Sequence, residues 1–137
     1  MADYVLLAAR ILGALLAGVF FAYAVSVMPA LGAMDDDTFV KVMNKVNVVI
    51  VNPVFLAVFL GAPVASVGLL VWERDPWAVA GAVLAVVTLL VTFVFNIPLN
   101  NALAYGGARA AFETSWVLWN VARTLTGTAS FVCLLRV

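Results

Sequence analysis

The sequence predicts an all-α integral membrane protein, a bundle of four transmembrane helices in which an amphipathic helical segment precedes the second. Of its 137 residues, 66% are hydrophobic and only 10% are charged, whereas a soluble domain carries about a quarter charged residues. The apolar residues form runs of about 20, the length that crosses a bilayer as a helix, without the alternation of barrel strands. Nothing in the composition divides the chain, so a single domain over residues 1–137 is expected.

The predicted spans cover residues 4–28, 53–72, 76–97 and 115–135. The first is expected to be a retained helix, because its apolar run is longer than that of a signal peptide and Asp3 precedes any basic residue. Its Ala14, Gly18 and Ala22 form a stripe of small residues suited to close helix packing in lipid.

The connections between the spans differ in length. Pro29 and Gly32 are expected to end the first helix, and Asp36 or Asp37 to cap an amphipathic helix over residues 38–52. Pro53 then predicts a kink into the second span. Residues 73–76 form a very short link, whereas residues 98–114 are expected to form a longer polar connection.

Charge and composition exclude several classes of function. Seven basic and seven acidic residues cancel, which argues against a nucleic-acid partner. The chain has no histidine and only one cysteine, so it lacks the usual ligands of zinc, copper and haem, and no metal site is predicted. The positive residues are nearly balanced between the two predicted membrane faces, so they do not determine the orientation.

Polar and aromatic residues cluster at the span ends that the alternating chain direction brings to one membrane face. In chain order, this group comprises Tyr23, Asn47, Asn52, Asn96, Asn100, Trp116, Trp119, Asn120 and Arg123. A guanidinium does not lose its proton on burial, so Arg123 needs polar partners or water at membrane depth. Its fixed charge suits an enolate, phenolate or carboxylate, and the aromatic rings suit a flat apolar or quinone-like molecule.

Structural explanations remain open for individual members of this group. Asparagine often links helices by hydrogen bonds in membrane bundles, and tryptophan often lies at the membrane interface. Arg10 has the same chemistry as Arg123 but lies at the opposite end of the bundle without neighbouring asparagines, so snorkelling towards water is preferred for it.

The chain resembles the bacterial DUF1772 family of anthrone oxygenase-like membrane proteins in four blocks. These are residues 18–31 (GVFFAY, then VMPAL from 27), residues 46–55 around Asn47, Asn52 and Pro53, residues 95–100 (FNIPLN), and residues 116–124 (WVLWNVART). The resemblance implies a four-helix, multi-pass protein of the bacterial cytoplasmic membrane. It also implies oxidation of an anthrone to an anthraquinone by dioxygen without a bound metal or flavin. The family pattern has a histidine after the Trp-Asn pair, where this chain has Val121.

On this resemblance, the catalytic residues are expected to be Arg123, which stabilises the substrate oxyanion, with Asn100 and Asn120 as hydrogen-bond donors. The residues expected to bind substrate are Asn47, Asn52, Asn96, Trp116, Trp119 and Tyr23. The alternative is a non-catalytic membrane protein that binds a lipid or quinone, or a small subunit of a larger complex. A transporter is a weaker alternative, and homo-oligomerisation stays open.

Overall fold

The computed structural model describes all 137 residues and contains helices but no strands, which confirms the all-α prediction. There are five helices, with bounds α1 Ala2–Gly32, α2 Asp36–Val49, α3 Pro53–Leu69, α4 Pro76–Ala104 and α5 Arg109–Leu134. The four long helices α1, α3, α4 and α5 pack side by side, and α2 lies across one end of them. That end is held by apolar side chains from α1, α2, α4 and α5, among them Met28, Phe39, Leu103 and Phe112.

The apolar helices are those of a membrane protein. By length and composition, α1 and α4 can each cross a membrane, and α2 with α3 makes a third span if this pair, bent by 72°, counts as one. Helix α5 is long enough, with 26 residues, but it carries charged and polar side chains and does not meet the same criterion. The expected four spans are therefore not evident from hydropathy alone.

Two of the long helices contain a wide π-helical turn near the end that α2 covers. These turns span Tyr23–Val27 in α1 and Thr92–Asn96 in α4. Pro29 and Pro98 follow in the first turn of the next α-helical segment, where a missing amide hydrogen costs nothing. The expectation that Pro29 ends the first helix is therefore wrong.

The long polar connection predicted over residues 98–114 is also wrong, because α4 continues to Ala104 and α5 begins at Arg109. Only residues 105–108 link the two helices, and they make their turn at Gly106, whose φ is +94°. Glycine adopts this left-handed conformation without the steric cost that a side chain imposes. The turn places the start of α5 directly beside the end of α4.

The caps of α2 and α3 form the bend between these helices. Asp35, rather than Asp36 or Asp37, caps α2, with its carboxylate accepting hydrogen bonds from the Thr38 amide at 2.9 Å and the Thr38 hydroxyl at 2.7 Å. These bonds lower the pKa of Asp35. Asn52 caps α3 by accepting a hydrogen bond from the Phe55 amide, and Pro53 begins the helix, so the predicted kink is confirmed.

The small-residue stripe of α1 does not pack within the chain. Ala14, Gly18 and Ala22 are exposed, and a Cβ built on Gly18 meets no atom within 4 Å. The buried face of α1 instead carries Leu16 and Phe20. Alanine and glycine spacing alone did not distinguish the inner face of this helix from the outer one.

Arg109 joins three helices at the end covered by α2. Its Nε donates to Glu113 at 2.6 Å, its Nη1 to Asp36 at 3.1 Å, and its Nη2 to the Gly32 carbonyl at 2.9 Å. The guanidinium also lies 4.4 Å from the centre of the Phe39 ring. The hydrogen bond with Glu113 is the main cause of a raised pKa at Arg109, so the group stays charged.

Replacing Arg109 with alanine is expected to lower the midpoint of thermal unfolding, because it removes the hydrogen bonds and ion pairs that connect α1, α2 and α5. Arg74→Ala is the matched control, since the Arg74 guanidinium donates only to the carbonyl of Leu70, four residues earlier in the chain and just after the end of α3. The measurement is thermal unfolding in detergent, followed by circular dichroism. Equal shifts for the two variants would show that the Arg109 contacts do not hold the helices together.

Candidate functional site

A cavity of about 260 Å³ lies between α1, α3, α4 and α5, next to the bend between α2 and α3. Sixteen residues line it, and twelve of them are hydrophobic. The aromatic members are Phe20, Tyr23, Phe55, Phe59, Phe93 and Trp116, and the polar ones include Asn47, Thr92, Asn100 and Arg123. An engineered apolar cavity of about 150 Å³ holds a benzene ring, so this cavity has room for a larger aromatic molecule.

Arg123 is buried in the cavity wall without an acidic partner. It is 6% exposed, and the ion pairs of the structure both belong to Arg109. The guanidinium lies 4.2 Å from the centre of the Phe20 ring and 5.3 Å from that of Trp116. A buried cation of this kind is costly unless something compensates its charge.

The guanidinium of Arg123 makes only two of the five hydrogen bonds that it can donate. Its Nη2 donates to the Asn120 carbonyl oxygen at 2.9 Å, its Nη1 contacts the Thr92 hydroxyl at 3.4 Å, and its Nε is buried with no partner. Asn120 is fixed in turn, because its Nδ2 donates to the Phe20 carbonyl at 3.0 Å. Asn120 therefore does not line the cavity itself but orients Arg123, which does.

Thr92 was missed by sequence reasoning, although a signal for it exists. Thr88, Thr92 and Asn96 recur every four residues in α4, and all three are buried. Such spacing marks one face of a helix. A polar stripe in an otherwise apolar helix therefore identifies the face of α4 that meets Arg123.

Trp116 is held in the cavity wall by two asparagines of α4. Its indole Nε1 donates to the Asn100 carbonyl oxygen at 2.7 Å, and its main-chain carbonyl accepts from Asn96 Nδ2 at 3.4 Å. Asn100 lines the cavity, whereas Asn96 is buried behind it with its Oδ1 unpaired. The two amides thus fix the ring that forms one side of the cavity.

Asn47 reaches the cavity from α2, and its Nδ2 is a second buried donor without a partner. A buried donor left unpaired costs about 1–3 kcal/mol. Two such donors, on Asn47 and on Arg123, belong to side chains that line the same cavity. These unpaired groups mark the polar part of the cavity wall, and the positive charge of Arg123 favours an oxygen-bearing ligand of negative charge.

Two further predicted site residues, besides Asn96 and Asn120, do not line the cavity. Asn52 is occupied in capping α3 and lines only a neighbouring surface depression. Trp119 stacks on Phe95, with ring centres 3.5 Å apart and planes within 5°, away from the cavity. Helical periodicity placed Trp116 and Trp119 on one broad face, but only Trp116 turns inwards. Val121 is 39% exposed, so a histidine at this position would also lie outside the cavity wall.

Five of the nine predicted site residues therefore surround one cavity: Tyr23, Asn47, Asn100, Trp116 and Arg123. No group of three or more histidine, cysteine, aspartate or glutamate side chains is placed to hold a metal ion. The arrangement can bind a flat aromatic molecule by its rings and an anionic oxygen by Arg123.

Comparison with known proteins gives a family match. A family model described as anthrone oxygenase matches residues 39–133, which is more than half of the chain. The match includes Asn47, Asn100, Trp116 and Arg123, whereas α1 with Tyr23 precedes it. No curated protein and no solved structure shows significant similarity to the chain.

Proposed function

The chain belongs to the anthrone oxygenase family, and from this premise we propose that it oxidises an anthrone or related polycyclic phenol to a quinone with dioxygen. The observation that carries the proposal is Arg123, a buried guanidinium without an acidic partner beside an aromatic cavity. The fixed charge requires an anion, and the rings around it favour an aromatic one.

We also propose that the protein is multi-pass, with α1, α3, α4 and α5 each crossing the bacterial cytoplasmic membrane. The distribution of side chains on α5 supports this arrangement. Its polar Asn120 and Arg123 are buried, whereas Leu118 and Leu125 are 63% and 65% exposed. A helix with a polar inner face and an apolar outer face has a low mean hydropathy but still suits lipid, because only the outer face meets the hydrocarbon.

In the proposed complex, the ring system of the substrate lies among Phe20, Phe59 and Trp116, with its carbonyl oxygen towards Arg123. Loss of a proton from the methylene carbon opposite the carbonyl converts the substrate into an enolate. The negative charge then lies on the oxygen beside the guanidinium, where a fixed cation stabilises it best in a water-poor cavity. Asn47 supplies a second donor for an oxygen on the same ring system.

The enolate is sufficiently electron-rich to react with dioxygen directly. It passes one electron to dioxygen, and the resulting radical and superoxide combine through a carbon–oxygen bond. Protonation of the distal oxygen gives a hydroperoxide, which loses water, including the second methylene hydrogen, to form the new carbonyl. Substrate and dioxygen thus yield quinone and water without electrons from another source. The protein binds the enolate, holds its charge and excludes water.

The test uses the purified full-length chain in detergent or nanodiscs with anthrone under air. Oxygen uptake and the increase in quinone absorbance should both be faster than in the spontaneous reaction. One dioxygen should be consumed for each quinone formed. A chelator-treated sample should retain this rate if the substrate supplies the electrons. Ligand binding without any acceleration across a panel of anthrones and polycyclic phenols would contradict the enzyme and favour the alternative, a non-catalytic protein that binds a lipid or quinone.

A further inference from the structure

We propose that Tyr23 is the catalytic base that removes the methylene proton of the substrate. This inference rests on the proposed function, because that reaction begins with the loss of a proton. Among the residues that line the cavity, only Tyr23 and Arg123 carry titratable side chains. A guanidinium has no lone pair available to accept a proton. Within the cavity wall, the proton acceptor is therefore Tyr23.

The position of Tyr23 suits both the uptake and the release of a proton. It begins the wide turn of α1, and its ring lies 5.7 Å from that of Trp116, centre to centre. Tyr23 also lines a surface depression of about 250 Å³, together with Lys45 and Asn52. Because Tyr23 and Ile50 line both spaces, Tyr23 lies between the cavity and the outer depression.

Burial of Tyr23 opposes its ionisation, and the positive charge of Arg123 favours it. Arg123 lies in the wall of the inner cavity, which Tyr23 also lines, and Lys45 lies in the wall of the outer depression. No acidic side chain lines either space.

The proposed step is a simple proton transfer. Before substrate is oxidised, the Tyr23 hydroxyl releases its proton to water in the outer depression. The phenolate then takes a proton from the methylene carbon; the electron pair of that carbon–hydrogen bond moves through the ring onto the carbonyl oxygen next to Arg123. Tyr23 is thereby returned to its neutral form, with a proton available for the peroxide formed after dioxygen adds.

The experiment measures this proton transfer without dioxygen. The full-length protein is incubated anaerobically with anthrone in D₂O, and deuterium entering the methylene group is followed by mass spectrometry. Wild type should accelerate the exchange, and Tyr23→Phe should lose about 100-fold or more of that acceleration, since general base catalysis contributes about 10²–10⁴-fold. Tyr4→Phe is the matched control, because Tyr4 lies on the same helix and is 80% exposed.

Binding of anthraquinone, measured by tryptophan fluorescence, separates catalysis from folding. If Tyr23→Phe binds anthraquinone as wild type does but loses the acceleration of deuterium exchange, the role of Tyr23 as the base is supported. If that variant exchanges deuterium at the wild-type rate, the role is overturned. Wild type that oxidises anthrone but does not accelerate exchange also overturns it. If wild type neither exchanges nor oxidises the panel of substrates, the proposed function itself fails.

A second variant serves if Tyr23→Phe does not fold. Site-specific replacement of Tyr23 by 3,5-difluorotyrosine keeps the shape of the ring but makes the phenol more acidic. The pH at which the exchange rate is half maximal should move down, because the phenolate forms at lower pH. An unchanged pH profile in a variant that binds anthraquinone normally would overturn the role of Tyr23.

Discussion

Replacing Arg123 with methionine is expected to reduce kcat/KM for anthrone oxidation by about 10²–10³-fold, the usual effect of removing one donor that stabilises a developing oxyanion. Methionine keeps an unbranched apolar side chain between Phe20 and Trp116 but removes the charge. The loss should lie mainly in kcat, because the enolate is charged and the ground-state ketone is neutral. Steady-state oxygen uptake over a range of substrate concentrations measures both parameters.

The same variant should not unfold the protein. Arg123 has no acidic partner, so its removal relieves the cost of a buried charge, although the Asn120 carbonyl oxygen loses its donor. Arg10→Met is the matched control: the Arg10 Nε donates to the Leu134 carbonyl at 2.9 Å at the opposite end of the bundle, so activity should persist. A large fall in the unfolding midpoint of Arg123→Met, with an activity that falls only as much as the fraction of folded protein, would show that the role of this arginine is structural.

Changing Asn120 to aspartate is expected to be nearly as damaging, with a loss of about 100-fold in kcat/KM, comparable with the loss of an oxyanion donor. The new carboxylate would lie where the amide oxygen now accepts from Arg123 at 2.9 Å. An ion pair within the protein would then satisfy the guanidinium and reduce its attraction for the substrate enolate. Oxygen uptake measures the loss, and anthraquinone binding shows whether the cavity remains intact.

Two further variants separate charge from position. Asn120→Ala removes the hydrogen bonds to Arg123 and to the Phe20 carbonyl but leaves the guanidinium charge unpaired, so it should retain more activity than Asn120→Asp. Asn101→Asp makes the same chemical change on the exposed surface of α4 and should retain full activity. The role of the Arg123 charge is refuted if Asn120→Asp, with normal folding, turns over as fast as wild type.

Several features of the molecule followed from sequence because they depend on composition and short-range spacing. The apolar content predicts helices in lipid, and Pro53 predicts the start of α3, because a proline acts within the first turn of a helix. The alternating direction of the long helices also brings Asn47, Asn100, Trp116 and Arg123 to one end of the bundle. These inferences need no knowledge of how the side chains pack.

Other features depend on contacts between helices and were not evident from the chain alone. The wide turns in α1 and α4 let both helices continue past proline, which reversed the expected breaks. Packing also decided which polar residues line the cavity: Asn120 lies behind Arg123, Asn96 behind Trp116, and Trp119 outside on Phe95.

The sequence by itself determined a helical membrane protein with a polar, aromatic end and one arginine that needs a partner. Only the tertiary structure decided that Arg123 has no acidic partner, keeps an unpaired Nε and lies in the wall of a cavity. The physical reason is that helical periodicity assigns a residue to a face of about a third of the circumference. Hydrogen bonding and cavity lining depend on angstrom-scale positions set by the neighbouring helices.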